Sequence, residues 1–400
     1  HTLIGLTHIA KRGTALAGIS DAVFDPALLP TPNSVNVVGI VGDELPVQEV
    51  KGTRLQPYTL WGEIAFQVGG EALYRDLSSE VTSFSAPGKE FMKEVFGGKK
   101  VLVIRNGWFS FRWTQIFDMG RIPHSVTVLK ARQVGSGAQA PFAPCPIDEV
   151  VATIRAERPA VVFAPHVETA SGMLLPDSYI QAIGAAVREV GGLFVLDCVA
   201  SGTVWVDIAA NNVDVLISAP QKGWSASPCC ALIALGERAR ERIEQTTSTS
   251  FACDLKKWLQ IMETFENGGH AYHATMPTDA LTTLRDVMLE TEAYGFARVC
   301  EEQWELGRRV RALLETRGFP SVAAAGFQAP GVVVSYTTDP DIQSGKKFLA
   351  AGLQSAAGVP LQCDEGPDFC TFRIGLFGLD KLHAPERTVA NLATALDSLG

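Results

Sequence analysis

From about residue 100 to residue 235 the chain alternates short β-branched runs with amphipathic stretches of helical period, and that alternation leaves few folds open. The runs at residues 101–104, 125–129, 160–164, 193–196, 213–217 and 231–234 are predicted strands. Residues 147–156 and 177–190 are predicted helices, the second opening at Pro176-Asp177 and closing at Gly191-Gly192. Strands joined through helices build an α/β layer with a largely parallel sheet. After Thr278 the texture changes to long helices at 280–294 and 297–317, apolar runs at 331–336 and 371–374, and a terminal helix at 388–399. The pattern predicts a smaller α+β domain over residues 281–400, a large domain over 76–280 and an atypical leading segment over 1–75. Pro26, Pro30, Pro32 and Pro46 break the periodicity of that segment. No internal repeat or low-complexity tract is visible.

A chain of 400 residues, 46% of them hydrophobic, can bury one large core or two moderate ones, which excludes a disordered or fibrous protein. The formal charge of −9 is spread among interspersed acids and bases, so a sequence-independent grip on nucleic-acid phosphates is not expected. No run is long and apolar enough to span a bilayer, and the first residues lack the pattern of a secretory signal. The eight cysteines show no Cys-x-x-Cys pair, and neither they nor the seven histidines have metal-ligand spacing. A cytoplasmic protein acting on small molecules, without metal, membrane or nucleic acid, is the expectation.

In open α/β sheets the working groups gather beyond the carboxyl ends of the strands. His166, Glu168 and Thr169 follow the third predicted strand, Asp197 ends the fourth, and Gln221-Lys222 lies just past the fifth. A carboxylate at a buried strand end requires a cation, and a protonated pyridine nitrogen would serve. A lysine on the neighbouring loop could reach the far side of such a ring as a neutral amine. Each residue taken alone has a blander reading. Strand-end Asp residues often cap helices, most Lys are solvated, and a lone buried His is usually a satisfied core residue.

Three runs strengthen the chemical reading: Pro165-His166-Val167-Glu168-Thr169-Ala170-Ser171-Gly172, Leu196-Asp197-Cys198-Val199-Ala200-Ser201 and Ser218-Ala219-Pro220-Gln221-Lys222. Together they resemble the class V aminotransferases among the fold-type I enzymes that use pyridoxal 5'-phosphate (PLP). The alanine–glyoxylate and serine–pyruvate aminotransferase group is the nearest branch, with phosphonate aminotransferases beside it. Tyr272-His273-Ala274-Thr275-Met276-Pro277 and Phe372-Arg373-Ile374-Gly375 extend the likeness, which spans residues 100 to 400.

The resemblance implies a fold-type I large domain with a mostly parallel seven-stranded sheet between helices. It implies Lys222 as the Schiff-base lysine, Asp197 at the pyridine nitrogen and Gln221 at the phosphate, with His166 and Thr169 lining the cofactor. Asn106-Gly107-Trp108-Phe109-Ser110-Phe111-Arg112-Trp113 resembles the segment that stacks a ring on the cofactor, which assigns that role to Phe109. Tyr272 and Thr275 would reach the phosphate across a homodimer interface. Arg373 would bind the substrate carboxylate, unless it pairs internally with Asp364 or Glu365. The family's Gly/Ser/Thr-rich phosphate turn has no clear match; the best candidate is Ser85-Ala86-Pro87-Gly88, through Gly88. Gly97-Gly98-Lys99-Lys100 lacks the spacing of a nucleotide-binding loop. Tyr58, Trp61 and Gln67 are further pocket candidates.

The implied reaction moves an amino group from alanine, serine or a similar small amino acid to glyoxylate or pyruvate. The same cofactor also supports lyases, decarboxylases, carbon–carbon bond-forming enzymes and desulfurases, the last requiring a mobile thiol for which Cys363 is the candidate. A cofactor-binding regulator without turnover is the reading from a different class, since fold alone does not dictate activity.

Overall fold

The computed structural model describes residues 49–50, 53–54, 65–66, 70–75 and 99–399. Two compact units divide the chain, residues 1–98 and 99–400. In the first, Glu49–Val50 and Thr53–Arg54 form a short antiparallel pair. The second holds every element discussed below.

It opens with β1 (Lys100–Arg105), α1 (Trp108–Gly120), β2 (Ser125–Lys130), α2 (Ile147–Glu157) and β3 (Val161–Pro165). A small arch follows, β4 (Val167–Glu168) paired antiparallel with β5 (Met173–Leu174). Then come α3 (Asp177–Glu189), β6 (Leu193–Asp197), β7 (Val215–Ser218) and β8 (Leu232–Leu235). Among the described residues the large sheet has six strands in the order β8-β7-β6-β3-β1-β2, all parallel except the edge strand β8.

Alternate residues of these strands face opposite sides, and both sides are covered. Leu102, Ile104, Val162, Ala164, Phe194 and Leu196 pack on Val150 and Ile154 of α2 and on Ile180, Ile183 and Val187 of α3. Val101, Val103, Val161 and Phe163 pack on Trp113 and Phe117 of α1. Each of these large apolar side chains, when fully buried, stabilises the fold by about 1.5–3 kcal/mol. The expected mostly parallel, doubly covered sheet is therefore present. Its register aligns Asp197 with Pro165 on one side and Ile217 on the other, so three strands end at one level.

The predicted fifth strand starts two residues later than its apolar run. Val213 is spent in the core, and Asp214 accepts the Phe194 N–H at 2.8 Å and pairs with Arg238 at 3.0 Å.

Beyond the sheet lie α4 (Glu237–Glu244), α5 (Leu255–Glu266), α6 (Thr278–Tyr294) and α7 (Phe296–Thr316). The chain ends through β9 (Val332–Tyr336), β10 (Ala356–Ala357), β11 (Thr371–Gly375) and α8 (Pro385–Asp397). The order β9-β11-β10 makes a three-stranded antiparallel sheet. Its Val333, Phe372 and Ile374 pack on Leu306, Val310 and Leu314 of α7 and on Leu392 and Leu396 of α8, an α+β layer of its own. Helix α8 begins three residues ahead of its predicted start because Pro385 occupies the first turn, where its missing N–H is no loss. No helix among the described residues is long and apolar enough to cross a membrane.

Candidate active site

Three strand ends supply the site's polar groups. At the end of β3 the backbone N–H of His166 donates to Asp197 O at 2.9 Å, tying the arch to the end of β6. The His166 ring is buried, and its Nδ1 lies 2.7 Å from Ser201 Oγ. Burial holds that imidazole down to about 4, so it is neutral at physiological pH.

Asp197 ends β6 with a carboxylate that accepts the Val199 N–H at 3.0 Å. Burial pushes its carboxyl up to about 6, with the Glu168 charge adding to the rise and the Trp113 side chain hydrogen-bonding against it. No salt bridge to Asp197 exists among the described residues. An acid at this depth without a cation is a costly arrangement unless a ligand supplies the positive charge.

Lys222 lies on the turn after β7. Its Nζ sits 5.9 Å from the centre of the Phe377 ring and forms no ion pair among the described residues. Burial, and secondarily the positive charge of Arg373, push its amine below the usual lysine range. The turn is held close by Gly223: a Cβ there would fall 2.3 Å from Gly202 O. Only glycine permits that approach, which docks the Lys222 turn on the turn following Asp197.

Arg373 projects from β11, opposite Val334 and Ala356 in register. Its Nε donates to Ala357 O at 2.8 Å, and its guanidinium carbon lies 5.7 Å from the centre of the Phe109 ring. The internal partners weighed for it are engaged elsewhere. Asp364 pairs with Lys130 at 2.5 Å, and Glu365 accepts the backbone N–H groups of Leu361, Gln362 and Cys363. The guanidinium fork is thus free of any acid among the described residues.

Phe109 is half-buried at the start of α1, with Arg112 as well as Arg373 about its ring. Thr169 is buried in the arch, and Gln221 is exposed beside Lys222. Tyr272 and Thr275 are exposed and hydrogen-bond to each other at 3.0 Å. Gly88, Tyr58, Trp61 and Gln67 lie outside the described residues. Cys363 is buried, donates to Arg105 O at 3.4 Å and has its thiol pushed up to about 12 by burial, which is not the setting of a mobile nucleophile.

Two residues of the site were given no role from the sequence. Asn106 is fully buried at the end of β1, with neither atom of its side-chain amide partnered among the described residues. Glu168 is fully buried and fully hydrogen-bonded, as described below. Its position beside His166 and Thr169 was the one available signal.

These residues fit PLP. An uncompensated strand-end acid suits a protonated ring nitrogen, a lysine of lowered basicity suits an aldehyde, and a free guanidinium suits a carboxylate. The fold is that of the fold-type I PLP-dependent transferases. It matches the crystal structure of alanine–glyoxylate aminotransferase from Nostoc sp. with a TM-score of 0.63, at 21% identity over 76% of this chain and 75% of that one.

By sequence the chain is similar to class V aminotransferases. It is 28% identical to 2-aminoethylphosphonate–pyruvate transaminase of Burkholderia ambifaria over 75% of this chain and 76% of that protein. It is 25% identical to alanine–glyoxylate aminotransferase 1 of Saccharomyces cerevisiae over 70% of this chain and 71% of that protein. No family model matches the chain.

Proposed function

We propose that this protein is a PLP-dependent aminotransferase that moves an amino group from a small amino acid, such as alanine or serine, to glyoxylate or pyruvate. The observation that carries the reading is the pair formed by Asp197, an acid of raised pKa, and Lys222, an amine of lowered pKa, on turns docked through Gly223 and Gly202. Neither has an ionic partner among the described residues. Two groups perturbed in opposite senses by burial and left uncompensated are the mark of a site built around a ligand.

When bound, PLP supplies an aldehyde and a ring that withdraws electrons from the amino carbon. Asp197 would hold the positive charge of the ring nitrogen and so strengthen that withdrawal. Lys222 would hold the cofactor in the resting enzyme. With an amino donor in its place, its Nζ would accept the proton of the donor's α-carbon and hold it as an ammonium. A lowered pKa suits an amine that must be neutral to accept that proton. Phe109 would lie against one face of the ring, with neutral His166 and Thr169 lining its edge. Gln221 would contact the phosphate. Arg373 would grip the donor carboxylate through its planar fork, orienting the α-proton toward Lys222.

Tyr272 and Thr275, which bond to nothing in the Lys222 turn, suit a role at the phosphate of a second subunit in a homodimer. The eight cysteines are free thiols, which suits a cytoplasmic setting.

The test is the visible spectrum of the PLP-loaded protein before and after adding alanine, serine or 2-aminoethylphosphonate without an acceptor, with Lys222→Ala as control. The expected result is a Lys222-dependent band that converts lastingly to that of the aminated cofactor and returns on adding pyruvate or glyoxylate. A band that returns unaided with release of ammonia or carbon dioxide would instead mark a lyase or decarboxylase.

A further inference from the structure

We infer that Glu168 is a positioning residue that holds Phe109, and with it the first turn of α1, in place at the cofactor-binding edge. This rests on the functional reading above. Glu168 Oε1 accepts the N–H of Phe109 at 3.2 Å and of Ala170 at 3.0 Å; Oε2 accepts the N–H of Ser110 at 2.9 Å and its Oγ at 2.7 Å. One carboxylate therefore satisfies two of the orphan donors that open a helix, and it does so from a different element 58 residues away in sequence.

A buried negative charge at a helix N-terminus is well placed, since the aligned peptide dipoles and free N–H groups favour it. No lysine or arginine salt-bridges to it among the described residues. The backbone around it is shaped to admit it: a Cβ at Gly107 would fall 2.7 Å from Glu168 Cγ and 2.8 Å from Cδ. Gly107 and Glu168 thus interlock, and the lock sits one residue from Trp108 and two from Phe109.

A helix cap could have been supplied by a local Ser, Thr or Asp exposed to water. Here the cap is the arch itself, so the position of Phe109 is tied to the segment that carries His166 and Thr169. The Glu168 charge is also felt at both neighbouring functional groups, raising the carboxyl of Asp197 and opposing the fall in Arg373. A residue that fixes the stacking ring while loading the field at Asp197 and Arg373 affects cofactor retention more than overall folding.

The experiment compares the wild type, Glu168→Gln and Ser110→Ala. The glutamine amide has one acceptor oxygen, so either the Phe109/Ala170 pair or the Ser110 pair loses its partner. In cofactor-free protein, amide exchange over residues 106–112 is expected to accelerate by about ten-fold in Glu168→Gln, with the rest of the sheet unchanged. PLP titration is expected to show a Kd raised by roughly ten-fold, with weakened induced circular dichroism of the bound cofactor. Ser110→Ala, which removes the 2.7 Å hydroxyl bond to Glu168 together with the acceptor of the Asn106 and Gly107 N–H groups at 3.0 and 3.2 Å, is expected to shift the same readouts in the same direction.

Should Glu168→Gln not fold, Glu168→Asp, which keeps the charge but draws the carboxylate back by one methylene, decides in its place. Unchanged PLP affinity in a folded variant overturns the inference, even if exchange accelerates, because the carboxylate would then be an ordinary helix cap. Failure of the wild type to bind PLP through Lys222 overturns the functional reading instead. The exchange data then still report whether Glu168 holds Phe109.

Discussion

Two polar regions meet at the edge of the large sheet, and they are built to opposite rules. In the arch, Glu168 has its carboxylate filled by four hydrogen bonds from Phe109, Ser110 and Ala170, and His166 is neutral against Ser201. Around Lys222 and Arg373 the two cations have no acid partner among the described residues, and each has its pKa lowered first by burial. The first region is complete within the chain. The second holds charge that no acid among the described residues neutralises. Burial is common to both, so what separates scaffold from binding group is whether the donors and acceptors are already spent.

Asp197 lies on the boundary between the two, and its titration is the strongest way to break the distinction. Its carboxyl is raised to about 6, whereas His166 beside it is lowered to about 4. In the cofactor-free protein the Asp197 contribution is fully present below the ordinary aspartate pKa of about 3.9 and is lost as pH rises through about 6. The His166 contribution has the opposite sign: it is present above the ordinary histidine pKa of about 6.5 and is lost as pH falls through about 4.

The two slopes oppose each other over the same window, so the wild type understates both. Asp197→Asn should remove one of them. Urea unfolding of cofactor-free protein should then show the variant gaining on the wild type by up to about 3 kcal/mol between pH 4 and pH 7. Adding PLP should shrink that gain, since a ring cation would relieve the acid. A difference that does not change with pH would mean that Asp197 is not left uncompensated, and the distinction would fail at its centre.

Arg373 tests the second region. Losing a charge-assisted grip on a carboxylate costs about 1.5–3 kcal/mol, so Arg373→Ala should raise the KM for an amino-acid donor by roughly ten- to a hundred-fold. PLP loading should remain intact, because the one hydrogen bond of the Arg373 side chain among the described residues is to Ala357 O, backbone of the neighbouring strand β10. Loss of PLP binding with an unchanged donor KM would move Arg373 from the substrate to the cofactor.

The first region was the less legible in sequence. The strand runs and the ends at His166, Asp197 and Lys222 follow from local pattern, because apolar periodicity and loop position are properties of adjacent residues. The same holds for Arg373 on its β-branched strand. Glu168 was visible only as a neighbour of the histidine, since the N–H groups it accepts belong to backbone that no side-chain type announces. Gly107 has the same origin, its requirement being set by a side chain from another strand. The choice between a free and a paired Arg373 also depended on long-range partners. Lys130 and the 361–363 backbone take up the two acids that sequence proximity offered it.

Tyr272 carries the smallest expected effect within a single chain and extends the comparison beyond it. Its hydroxyl is exposed and, among the described residues, bonds to Thr275 Oγ1, itself exposed, so Tyr272→Phe should change the unfolding free energy of cofactor-free protein by less than about 0.5 kcal/mol. If the pair serves a phosphate in a second subunit, the same variant should loosen PLP several-fold. Dilution that dissociates the wild-type dimer should loosen it too, because the lost contact is the partner's contribution in both cases. The mass from light scattering, followed in parallel with PLP affinity, separates the possibilities. A single-chain mass with undiminished affinity would make the Tyr272–Thr275 bond a closed surface contact. It would then belong with the filled groups of the arch, leaving Lys222 and Arg373 as the cations with no acid partner among the described residues.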